Sequence, residues 1–148
     1  MNAPRVVVVG SSNTDFVLRV PHFPARGETV LGTALSVGGG GKGANQAVAA
    51  ARLGAHVALV ARVGDDATGR KALSDIKHEG VEIRNTRLTR DRPSGMAMIL
   101  VDAVGENMIA VAAGANSSLS PADIVRAEST IKASDCLLIQ LEIPLETV

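Results

Sequence analysis

The 148-residue sequence predicts an α/β fold, a parallel sheet layered with helices, with a small separate flap of amphipathic antiparallel strands. Three observations predict it. Continuous β-branched or aliphatic runs at residues 5–9, 57–63 and 137–141 suit strands buried on both faces, as parallel sheets require. Helical segments alternate with those runs. Segments 15–20 and 29–37 instead mix apolar and polar positions evenly, which suits strands with one wet face.

Taken in order, the first run stops at Gly10, and Pro21, Pro24 and Gly27 separate the two flap segments. The glycine run Gly38-Gly39-Gly40-Gly41 follows. An alanine-rich helix is expected over residues 44–53, stopping at Gly54. After the second buried strand, residues 66–78 read as a helix ended by Gly80. Asp65 and Asp66 at its start form either a magnesium pair or a turn and helix cap before Gly69; the cap is the expectation. Segments 96–101 and 108–111 flank the turn-like Gly105-Glu106-Asn107 and predict a hairpin. Pro121 suits the first position of another helix, with Ser120 as its N-cap.

The third buried strand leads into Glu142, and Pro144 is placed to open a further helical turn. A strand buried on both faces needs helices above and below it. The chain stops before supplying the next one, so part of a larger, truncated fold is expected. Cys136 is the only cysteine, which excludes an internal disulfide or a thiolate metal cluster. It opens the third apolar run and is expected to be a small buried hydrophobe rather than a reactive thiol.

Hydrophobic residues make up 46% of the chain, enough for a core and too many for wholesale disorder. Fifteen basic and 15 acidic residues leave no net charge, which argues against a dedicated nucleic-acid binder. Phe16 and Phe23 are the only aromatic residues, so a base-stacking platform is excluded. No basic leader and no membrane-length apolar stretch stand in the sequence, and a cytoplasmic setting without a membrane partner is expected. The sequon Asn116-Ser117-Ser118 is expected to be a chance match.

The most informative stretch is Gly38-Gly39-Gly40-Gly41-Lys42-Gly43-Ala44-Asn45-Gln46-Ala47. Glycines let a ligand approach the backbone and leave amide donors uncovered. Lys42 adds a cation, and Asn45 a donor and an acceptor. Gly43 stands where a Walker A loop has Ser or Thr, so a P-loop is excluded. Gly38, Gly40 and Gly43 satisfy a dinucleotide pattern, with Asp65 at a suitable spacing, but no buried strand precedes them. A ligand-free glycine hinge is a further alternative.

Two more polar groups fall at strand ends. Gly10-Ser11-Ser12-Asn13-Thr14-Asp15 follows the first buried strand; it reads as an Asn/Asp turn or as a place where a carboxylate accepts from neighbouring hydroxyls. Glu142 follows the third, as a ligand acceptor or a carboxylate favoured by a helix dipole. Carboxyl ends of parallel strands are where open α/β sheets bind ligands, so the polar groups converge on one edge.

Gly10-Ser11-Ser12-Asn13-Thr14-Asp15, the octet from Gly40 to Ala47, Gly64-Asp65-Asp66, Gly105-Glu106-Asn107, Gly114-Ala115-Asn116 and Gln140-Leu141-Glu142 occur in an order that resembles the ribokinase family of carbohydrate kinases. The resemblance covers essentially the whole chain. It implies an α/β/α sandwich with an antiparallel β lid, its strands near 15–37 and 95–112, closing over a sugar. It also implies phosphoryl transfer from ATP, with Mg2+ and an activating K+, to the 5-hydroxyl of D-ribose or a related pentose, and a homodimer formed through the lid. Sugar-contacting positions carry over to Asn13, Asp15, Gly41, Lys42, Asn45 and Glu142. The family's catalytic aspartate, anion hole, adenine segments and cation sites lie in its carboxyl-terminal half and match nothing here. The expectation is therefore a chain that binds sugar without turning it over alone. The other readings are a non-catalytic sugar-binding or interaction remnant and a dinucleotide-binding fragment.

Overall fold

The computed structural model describes residues 3–148. The first sheet is parallel, in the order β5-β4-β1-β8, with β1 at Arg5–Val9, β4 at His56–Gly64, β5 at Thr86–Thr89 and β8 at Cys136–Ile139. Side chains alternate across a strand, so β1 feeds two cores. Val8 packs with Leu59 against Ala44 and Ala47 of α1 (Lys42–Arg52) and Ile76 of α2 (Ala67–His78). Val7 and Val9 pack on the opposite face with Val60, Leu119, Ile143 and Ala127 of α3 (Pro121–Lys132). The result is the expected helix–sheet–helix sandwich. Burying Val8 and Leu59, both at 0% exposure, is worth about 2 kcal/mol each.

Caps agree with the sequence. Asp66 is the N-cap of α2 and accepts from the Gly69 amide at 2.7 Å. Ser120 caps α3 in a box with Asp123, and Pro121 takes the first turn. The last turn of α1 is clamped to the end of α2 by Arg52, whose Nε and Nη2 donate to Glu79 at 2.7 and 2.6 Å.

The second sheet has the order β3-β2-β6-β7, from β2 (Asn13–Arg19), β3 (Ala34–Gly40), β6 (Gly95–Val101) and β7 (Asn107–Ala112). The hairpin β6–β7 is present as expected. The lid is nevertheless mixed rather than antiparallel, because β2 and β6 run parallel. Both leave the sandwich from the same edge, with Asn13 paired to Gly95 at their starts, so they must point the same way.

Several local expectations need correction. The glycines Gly38–Gly40 are not a loop after a strand; they are the end of β3, paired with Asn13, Thr14 and Asp15. β8 is shorter than residues 137–141 and is not buried on both faces: Leu137 and Ile139 are 40% and 42% exposed. It is the outermost strand and pairs only with β1, so Cys136 is exposed rather than buried. Pro144 opens hydrogen-bonded turns, as expected, but these residues are not assigned as a helix. The Thr147 and Val148 amides close two successive turns onto Pro144 and Leu145 at 2.9 and 3.1 Å. β5 and a short 3-10 helix at Gly114–Ser118 were not expected.

Candidate functional site

Parallel strands bring their carboxyl ends to one edge, and three loops meet there: residues 10–12 after β1, 65–66 after β4, and 140–142 after β8. The loop after β1 is buried, with Ser11 at 0%, Ser12 at 2% and Asn13 at 6% exposure. Most buried polar groups in folded proteins are bonded. The Ser11 amide donates to Gln140 Oε1 at 3.3 Å, and its hydroxyl donates to Glu142 Oε2 at 2.9 Å. The Ala44 amide donates to the Ser11 carbonyl at 2.8 Å and docks the start of α1 on the same loop.

That docking explains the glycines. Gly41, the N-cap of α1, has φ of 88°, a left-handed value that favours glycine. A Cβ at Gly41 would meet the Asn13 nitrogen at 2.7 Å, and one at Gly43 would meet the Gly10 carbonyl carbon at 2.6 Å. The helix therefore starts in backbone contact with the loop after β1. Gly38 and Gly40 end a lid strand that is exposed up to the buried Gly40, so the dinucleotide pattern has no core strand before it and that reading fails.

Lys42, first in α1, is ion-paired with Glu142. Asp15 is half-buried in β2, its carboxylate lying where a side chain at Gly40 would be. Burial, and secondarily the negative charge of Glu142, push the Asp15 carboxyl above its ordinary range. Burial opposes ionisation of Glu142 too, but the bonds from Lys42 and Ser11 and the charge of Lys42 hold it below the ordinary range. One carboxylate is thus neutralised in place, whereas the other is pressed against its neighbour.

The structure pairs Lys42 directly with Glu142, seats Gly41 against the backbone of Ser12 and Asn13, and places Asp15 against Gly40, near enough to feel the Glu142 charge. Asn13 lines two cavities: one of about 490 Å³ shared with Gly40 and Asn45, and one of about 410 Å³ shared with Val111 and Glu142. Asn45 is exposed one turn into α1, and its side chain makes no hydrogen bond to Asp15, Lys42 or Glu142. Ser11 and Asn116 were not among the residues expected at the site. Both stood inside quoted motifs, but their roles depend on contacts with residues 131 and 104 positions away.

A metal ion finds no fit in this set. Among the described residues no three His, Cys, Asp or Glu side chains stand together as ligands. Asp66 is consumed by Gly69, Thr68 and Ser94; despite its burial these bonds hold its carboxyl far below the ordinary range. Asp65 is paired with Arg70 and Arg90.

Fold and site together define a lidded α/β/α protein with acceptors and donors gathered at the carboxyl edge of its sheet, the class to which sugar kinases belong. A family model described as pfkB family carbohydrate kinase matches residues 3–148, and the chain belongs to that family. A ribokinase from Haemophilus influenzae is 45% identical over 143 residues, which is 97% of this chain and 47% of that protein. The structure of ribokinase from Giardia lamblia superposes with a TM-score of 0.89 at 30% identity, covering 99% of this chain and 44% of the other. Arabidopsis thaliana ribokinase complexed with ribose and ATP gives 0.82 at 30% identity, covering 99% and 49%. The chain spans about half the length of the curated relatives it matches.

Proposed function

We propose that this chain is the sugar-binding, amino-terminal part of an ATP-dependent kinase that phosphorylates D-ribose at its 5-hydroxyl. The observation that carries the reading is the Lys42–Glu142 ion pair at the carboxyl edge of the sheet, with Asp15 of the lid near enough for the Glu142 charge to raise its carboxyl. A pentose presents several hydroxyls at fixed angles, and a site that distinguishes it needs fixed acceptors and donors. Asp15 and Glu142 accept from hydroxyls. Lys42, Asn45, Asn13 and the Gly41 amide donate to them. Ala97 and Val111, in register with Asp15 on the same lid face, cover the sugar's C–H surface.

ATP with Mg2+ supplies the phosphoryl group when bound, with K+ as activator. Among the described residues no cluster of three His, Cys, Asp or Glu side chains is built to hold a metal ion. The reading assigns the binding of ATP and the cations, and the base that removes the hydroxyl proton, to sequence outside residues 1–148. It also includes a cytoplasmic setting and a homodimer through the lid; among the described residues no helix is long and apolar enough to cross a membrane. Calorimetry of the chain with D-ribose, beside a coupled ADP-release assay, tests the function. Saturable ribose binding without turnover is expected. Turnover near the ~1–100 s⁻¹ typical of kinases, or no ribose binding, would overturn it.

A further inference from the structure

The Asn116 carboxamide is 2% exposed and directs all its bonds at two consecutive residues. Its Oδ1 accepts from the Ser12 amide at 2.9 Å, and its Nδ2 donates to the Ser12 carbonyl at 3.3 Å. This two-point clasp on the backbone N–H and C=O of one residue fixes which end of the amide is which: a flip would set N–H against N–H and oxygen against oxygen. The same Nδ2 donates to Asn13 Oδ1 at 2.7 Å. The space for this pair exists because residue 95 is glycine; a Cβ there would strike both Asn116 Nδ2 and Asn13 Oδ1.

We propose that Asn116 is a positioning residue that makes Asn13 a pure hydrogen-bond donor toward the ligand, an inference that rests on the sugar-binding reading above. With Oδ1 engaged by Asn116, the free end of the Asn13 amide is Nδ2. That nitrogen has no protein partner, yet the only unpartnered side-chain polar atom sealed from solvent among the described residues is Ser12 Oγ. Asn13 Nδ2 therefore reaches the cavities that Asn13 lines. Asn13 and Asp15 lie two apart in β2 and share a face, so a donor and an acceptor stand side by side. One hydroxyl can accept from Asn13 while donating to Asp15. The order of ends is set 103 residues away in sequence, by Asn116.

The test is a double-mutant cycle on the intact chain, with D-ribose affinity read by calorimetry and the Asn13 side-chain amide resonances read by NMR. Asn116→Asp places an acceptor where Asn13 Oδ1 now receives a donor, and turns the Asn13 amide over. It is expected to weaken ribose by about tenfold or more and to shift the Asn13 resonances. In an Asn13→Ala background it should cost nothing further, whereas additive losses would show a role independent of Asn13 and sink the proposal. Asn13→Asp keeps the oxygen that Asn116 needs, and so the fold, but removes the donor; it should lose ribose as fully as Asn13→Ala. Retained affinity in that variant overturns the donor assignment. If the unaltered chain binds no ribose, the sugar-binding reading fails, while unshifted Asn13 resonances in Asn116→Asp would separately refute the positioning role.

Discussion

Lys42 and Glu142, 100 residues apart in sequence, are ion-paired across the mouth of the candidate site. The pair joins the first residue of α1 to the loop after β8, and Ser11 Oγ holds the other carboxylate oxygen. Without ligand, each charge satisfies the other. Under the sugar-binding proposal, a polyol would exchange those bonds for its own.

Glu142→Gln tests the coupling of the two carboxylates. The negative charge of Glu142 is the second cause, after burial, that raises the Asp15 carboxyl. Removing it should lower the Asp15 titration midpoint, measured by NMR of the carboxyl carbon. An unchanged midpoint would show that burial alone sets it. The Glu142 carboxyl is itself depressed, so its contribution to stability is present above its unfolded pKa and is lost as pH falls through the folded value. Glu142→Gln should therefore cost about 1 kcal/mol in urea unfolding at neutral pH and progressively less in acid.

Asp15→Asn should separate function from stability. A carboxyl whose folded pKa is raised favours its neutral form, so the fold loses stability as pH rises from the unfolded through the folded value. The neutral amide avoids that penalty. At neutral pH the variant should be at least as stable as the parent, yet bind D-ribose about 2 kcal/mol more weakly for want of a charge-assisted acceptor. A variant that unfolds early would place Asp15 in the scaffold instead.

Asp66 belongs to the lid's anchorage. Its Oδ1 accepts from the Gly69 amide, Thr68 Oγ1 and Ser94 Oγ, each at 2.7 Å, and its Oδ2 accepts from the Ser94 amide at 2.7 Å. Ser94 precedes the first residue of β6, so one carboxylate both caps α2 and fixes where a lid strand departs. Asp66→Ala should cost about 3 kcal/mol, more than a helix cap alone, because buried donors lose their partner as well. The contribution is fully present above the unfolded carboxylate pKa. It is lost progressively as pH falls from there toward the much lower folded value, which acid unfolding of parent and variant would reveal.

The core was readable because Val7, Val8 and Val9 carry the signature of a strand covered twice, and Ser120-Pro121 and Asp66 that of helix starts. The glycine run was not readable as a strand, since glycine has low strand preference. Gly38–Gly40 join β3 because β2 pairs with them and Asp15 needs the space at Gly40. β5 has four residues, two of them exposed, and exists by pairing with the end of β4; no local periodicity marks it. The parallel pairing of β2 with β6 depends on the edge from which both depart, a property of the assembled sandwich. Similarly, no spacing rule reveals that Asn116 will clasp Ser12.

The last prediction concerns the lid face that turns away from Asp15. Strand register places Val37, Phe16, Met98 and Ala110 in one row, and Leu35, Leu18, Leu100 and Met108 in the next row on the same face. Of these, Leu35, Val37, Met98 and Met108 are 64%, 57%, 54% and 53% exposed. The opposite face carries Asp15 with Val17, Ile99 and Ile109, so a sheet one layer thick is apolar on both sides. Such a sheet cannot cover both faces from within one subunit. A second copy meeting it by two-fold symmetry covers the outer face twice over with one self-complementary patch. Met98→Glu with Val37→Lys places opposite charges in one row and removes the apolar centre. The parent chain should elute as a dimer by light scattering after size exclusion, and the double variant as a monomer with D-ribose binding retained. A parent chain that is monomeric at high concentration, or a double variant that still dimerises, would move the contact away from this face.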